Sequence, residues 1–106
     1  MQKNKRIKID FPKDKQPKNV RIDFGNNIKN EKIILNKLKF KFQKNYFELK
    51  GNEIYYYFYA DENNTCIDRK KGVLTRKIKG ENKGPSLYPR KPKLHNKLKN
   101  IYINND

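Results

Sequence analysis

Residues 53–64 read EIYYYFYADENN, with five aromatic side chains in succession in a chain that has no tryptophan and a formal net charge of +16. Rings in so basic a setting serve one of two ends. They stack nucleobases, at about 1–3 kcal/mol per base, or they fill a core that lacks aliphatic residues. If 54–60 is extended, its side chains divide between two faces. Ile54, Tyr56, Phe58 and Ala60 then form a core face, while Tyr55, Tyr57 and Tyr59 form a second face that either packs or stacks bases.

Three basic groupings accompany the rings. In KLKFKF, Lys37, Lys39 and Lys41 alternate strictly with Leu38, Phe40 and Phe42. On a strand this places the ammonium groups about 6.6–6.8 Å apart along one face. Such a row suits successive phosphates, and equally a solvated outer surface. DRKKG and TRKIKG gather Arg69, Lys70, Lys71, Arg76, Lys77 and Lys79 on a turn and the segment after it, where glycine permits close backbone approach to a groove. GPSLYPRKPKLHNKLK then supplies Arg90, Lys91, Lys93, Lys97 and Lys99 among prolines that resist collapse.

Little else in the chain has the makings of a reactive centre. Cys66 and His95 are each the sole residue of their type, so neither a disulfide nor a zinc site built on Cys or His pairs is expected. No Ser-His-Asp set or phosphate loop is recognisable. The reading therefore assigns no catalytic residue, metal, cofactor or small-molecule substrate. A toxin-like endoribonuclease is the principal alternative, with Glu53, Tyr57, Arg69, Arg76 and His95 as its candidates, although their spacing shows no convergence. A phage or plasmid inhibitor of a nucleic-acid-handling enzyme, or a protein-only scaffold subunit, would also use a basic surface.

Composition points the same way as the groupings. Lys and Arg total 27 against 11 Asp and Glu, the electrostatic footprint of a polyanion partner, most often nucleic acid. AT-rich codon usage explains abundant Lys, Asn and Ile, but not so few acids. The bias is uneven: residues 69–106 hold 12 basic and 2 acidic side chains, against 15 and 9 in residues 1–68. With 34% hydrophobic and 36% charged residues, 106 residues bury only a small core. The amino terminus has no apolar run fit for a signal peptide, and no later segment approaches a membrane span. The expected location is a cytosol or an organelle, such as the mitochondrial matrix.

The elements that must position these groups are mostly short strands. RIKIDFP at 6–12 and VRIDFG at 20–25 alternate as half-buried strands across the Pro-bounded loop PKDKQPKN, either a hairpin with a long loop or a chance echo of one segment in the other. Asn26 or Asn27 caps a short helix carrying Ile28, Glu31, Ile34, Leu35 and Leu38, although the Ile33–Ile34 pair also suits a strand. Residues 37–79 read as an antiparallel meander with turns at QKN, GNE, DENN and KKG. Leu94, Leu98 and Ile101 have helical spacing.

The expected fold is thus mainly β, a small antiparallel meander or partial barrel with room for short helices. Residues 1–80 form a β-rich core domain and 81–106 an extended basic carboxy-terminal arm. The expected function is structural RNA binding in a ribonucleoprotein, foremost a ribosome, where the chain would neutralise rRNA phosphates beside neighbouring proteins and away from any membrane.

Overall fold

The computed structural model describes residues 2–24, 32–77 and 84–103, with side chains from residue 5 onward. Among these described residues, eight strands and two short helices follow one another: β1 (Gln2–Phe11), β2 (Ile22–Asp23), β3 (Lys32–Phe42), β4 (Asn45–Lys50), α1 (Ile54–Tyr57), β5 (Phe58–Ala60), β6 (Thr65–Asp68), β7 (Val73–Arg76), β8 (Ser86–Pro89) and α2 (Lys93–Ile103). The protein is mainly β, as its alternating segments predict, and its two sheets do not close into a barrel. No helix among the described residues is long and apolar enough to cross a membrane.

Strand β3 is the spine of the larger sheet. One edge pairs with β1 along its length; the other pairs first with β7, at Ile33 and Ile34, and then with β4 over residues 37–42. The β3–β4 and β6–β7 hairpins match the expected meander, and their turns use Gln43 at φ 56° and Gly72 at φ 69°. Asp68 Oδ1 accepts from the backbone N–H groups of Lys70 and Lys71 (3.1 and 3.2 Å), which tightens the second turn.

Three expectations are revised. First, β1 and β2 do not form a hairpin: β1 runs parallel to β3, while β2 pairs with β8 in the other sheet. Second, residues 32–38 are strand rather than helix; residues 25–31, including both expected caps, lie outside the described residues. The register against β1 steps from Lys5↔Leu35 to Arg6↔Lys37, so Asn36 is an extra bulged residue. A bulge reverses which side faces the core. Burial accordingly passes from Ile33 and Leu35 to Leu38, Phe40 and Phe42. The three-residue interval between Leu35 and Leu38 imitates a helical step for this reason.

Third, the meander is interrupted after β4. Glu53 Oε1 accepts from the Lys50 N–H at 3.1 Å, and the chain turns through Gly51–Glu53 into α1. Ile54 and Phe58 are both fully buried, because a separation of four satisfies helical and strand periods alike. The residues between them do not keep the expected strand faces. Tyr55 is buried, whereas Tyr56, assigned above to the core face, is 64% exposed.

The smaller sheet has the order β2–β8–β5. Residues expected in an extended arm supply its middle strand and then α2, whose Leu94, Leu98 and Ile101 enter the same core as β3. The helical spacing of those three residues is realised, and the apolar stripe gives the segment a face to bury. Phe40 is the hub, with ring centroids 5.0 Å from Phe47, 6.2 Å from Phe58 and 6.3 Å from Phe11. Tyr102 closes one end, edge-on to Phe42 at 5.1 Å, with its hydroxyl donating to the Pro17 carbonyl at 2.6 Å.

Candidate nucleic-acid interface

The side chains predicted to meet a polyanion fall into three environments. Lys37, Lys39 and Lys41 point away from the core on β3 and are half-buried. Glu48, opposite Lys39 on β4, draws Lys37 (3.6 Å), Lys39 (4.0 Å) and Lys50 (4.0 Å) around one carboxylate. The Lys39 ammonium also lies 4.3 Å from the Tyr46 ring centroid. On the parallel neighbour, Arg6 and Lys8 stand in register with Lys37 and Lys39, and Asp10 with Lys41. This face is basic but carries its own counter-charges.

The β6–β7 cluster divides. Arg69, Lys70 and Lys71 are exposed, with Arg69 5.6 Å from the centroid of Tyr55. Burial pushes the Tyr55 hydroxyl pKa up, against a lowering influence from Arg69. Arg76 Nε donates to the Gly84 carbonyl (2.9 Å) and Lys77 Nζ to the Glu62 carbonyl (2.8 Å). These two side chains tie neighbouring loops to β7. Lys79 lies outside the described residues.

The third environment is built by the smaller sheet and brings together the most varied chemistry. Strands β5 and β8 pair antiparallel with Tyr59 directly opposite Tyr88, and the rings meet edge to face at 5.8 Å. The Arg21 guanidinium lies 5.2 Å from the Tyr88 centroid and that of Arg90 lies 5.5 Å from Tyr59. Both arginines are anchored through Nε. Arg90 donates to the Tyr55 carbonyl (3.0 Å), and Arg21 to Asp23 (2.9 Å). Both side chains line a groove, a concavity of about 710 Å³ to which Asn19 and Lys91 also contribute.

Two acidic groups brace this arrangement. Asp23 accepts from Arg21 and from Ser86 Oγ (2.7 Å), and it raises the Arg21 pKa by hydrogen bond and charge. The Tyr88 hydroxyl donates to Asp61, which lowers the Asp61 pKa and raises that of Tyr88. Asp61 also accepts from the Asn63 N–H at 2.8 Å, fixing the loop before β6. Gly84 leads into β8 at φ 76°, and a Cβ there would lie 2.7 Å from Asn64 Oδ1, so the loop and β8 meet where only glycine fits.

Of the expected residues, the fold gathers Tyr59, Arg90 and Lys91 at this groove. Tyr55 is buried beneath Arg69, and Tyr57 is half-buried with its carbonyl accepting from the Arg90 N–H at 2.8 Å. Lys93, Lys97 and Lys99 are on α2, with Lys97 5.6 Å from the Phe47 centroid. Arg21 and Tyr88 belong to the groove and were not singled out by sequence. The only local signal at Arg21 is the Arg-x-Asp spacing that forms its ion pair.

No protein-family model matches the chain, and no match was found among curated proteins or solved structures.

Proposed function

We propose that the protein is an RNA-binding component of a ribonucleoprotein particle, foremost a ribosome. The observation that carries this reading is the Tyr59–Tyr88 pair flanked by Arg21 and Arg90. Tyrosine rings offer faces to unpaired bases, and guanidinium groups suit phosphate oxygens or stack on bases themselves. Lys91 adds charge, and among the described residues none that lines the groove is acidic. The basic outer face of β1, β3 and β4 supplies a diffuse attraction without base readout.

The reading is tested by titrating single-stranded RNA at increasing salt. Neutralising about four phosphates gives a log–log slope of about −2.8, which is roughly a fifty-fold loss of affinity between 50 and 200 mM salt. A slope near zero, or no binding at low salt, overturns it. Cleavage of the RNA by the purified protein would favour the endoribonuclease instead.

A further inference from the structure

The three most exposed tyrosines among the described residues are Tyr56 (64%), Tyr46 (55%) and Tyr59 (42%). In a chain so poor in apolar residues, rings left in solvent contribute little to folding. Each of the three lines a concavity together with at least one Lys or Arg. Tyr59 belongs to the groove already described, the Tyr46 ring lies under Lys39 on the outer face of β4, and Tyr56 belongs to a separate furrow.

The furrow consists of three adjoining hollows. Tyr46 lines the first, of about 360 Å³, with Lys97 and Asn100. Lys97 and Asn100 continue into the second, of about 440 Å³, which ends on Tyr56. Tyr56 in turn borders a third of about 440 Å³, closed by Arg69 and Lys70. The shared lining residues place the three hollows side by side. Its floor is the polar stripe of α2, where Lys93, Asn96, Lys97 and Asn100 recur at helical spacing and line the second hollow. From Lys93 to Asn100 this stripe rises about 10 Å. Among the described residues, none that lines the three hollows is acidic.

We propose that this furrow carries a single-stranded RNA segment onward from the Tyr59–Tyr88 groove, so that one strand of about five to eight nucleotides lies across both. The junction is short: Lys91 lines the groove and Lys93 the furrow, with Pro92 alone between them. Single-stranded rather than duplex RNA fits, because exposed rings need unstacked base faces. Lysine and arginine meet the backbone, and the asparagine amides offer donors and acceptors to base edges. This inference rests on the RNA-binding reading and extends it from a groove to a track.

The test is fluorescence anisotropy with oligouridylates of three, six and nine nucleotides, the trimer being measured by competition. Affinity of the wild-type protein is expected to rise steeply from trimer to nonamer. Combining Tyr56→Ala with Lys97→Gln is expected to weaken the nonamer about tenfold or more while leaving the trimer unchanged. Tyr56→Phe, which keeps the ring, should restore most of the loss when paired with native Lys97, whereas Tyr59→Ala should weaken every length. An unchanged nonamer affinity in the double variant overturns the track, as does an equal loss at all lengths or tighter binding of duplex than of single strand. Salt-dependent binding that does not grow with length overturns the track but spares the groove. Absence of RNA binding by the wild-type protein overturns the functional proposal and the track with it.

Discussion

The lysine face of β3 and the tyrosine–arginine groove of the smaller sheet present the same kinds of charge in opposite ways. On β3 the cations come from one continuous stretch, and Glu48 gathers two of them together with Lys50 of β4. In the groove the two arginines come from segments 69 residues apart, at Arg21 and Arg90, and meet at a pair of rings from two strands. The first arrangement is periodic and shares one carboxylate among several lysines, whereas in the groove Asp23 pairs, among the described residues, with Arg21 alone. The second is assembled by strand pairing, with its acids Asp23 and Asp61 holding the arginine and tyrosine in place. Density of lysine in sequence is therefore a poor guide to where a polyanion is gripped; what counts is whether the cations are braced beside surfaces a base can use.

The comparison is broken most severely at the core both regions share. Phe40 lies beneath the lysine row, and its ring also packs on Phe58 at the start of β5. Phe40→Ala should cost about 3–5 kcal/mol, read by chemical denaturation, and should disable the face and the groove together. Loss of one region's RNA contacts with the other intact would show that their packing is independent.

Substitutions at the two surfaces separate them. Tyr59→Ala, or Arg90→Ala, should weaken single-stranded RNA binding by about 1–3 kcal/mol. Lys39→Ala should weaken it less than threefold, because Glu48 already offsets that charge. Equal losses at Tyr59 and Lys39 would erase the distinction. A smaller effect of opposite sign is expected from Glu48→Gln, which releases its lysines. RNA affinity should rise about two- to threefold while folding stability changes by less than about 1 kcal/mol.

The smallest effect tests the end of the core that both regions leave untouched. Burial pushes the Tyr102 hydroxyl from its ordinary value of 10.0 up to about 12. The unfolded chain thus gives up this proton more readily than the folded one. The stabilising difference is fully present below pH 10 and is lost as pH rises towards 12. Thermal melts should show a decline over that interval, and Tyr102→Phe should reduce it without altering RNA binding at neutral pH.

Much of the scaffold was legible from local pattern. Leu38, Phe40 and Phe42 alternate with lysines and are buried as the alternation demands, and Leu94, Leu98 and Ile101 form the buried stripe of α2. Reading failed where one spacing satisfies two geometries. Leu35 and Leu38 look helical because a bulge supplies the extra residue. Ile54 and Phe58 are buried in strand or helix alike, which hid the helical turn that exposes Tyr56. The segment after residue 81 looked like an arm because Pro and Lys dominate its composition. Yet Leu87 gives β8 a fully buried apolar anchor, and β2 and β5 pair with it on both sides.

By itself, the sequence determined that the protein is basic, strand-rich and sparing in core, and which side of α2 and of β3 from Leu38 onward turns inward, because these follow from charge and short periods along the chain. The tertiary structure alone decided that β1 lies parallel to β3, that β8 runs between β2 and β5, and hence that Tyr59 meets Tyr88 beside Arg21 and Arg90. Those are pairings between distant segments. They are settled by which backbone edges and apolar faces can be satisfied together, a condition on the whole chain that no local window contains.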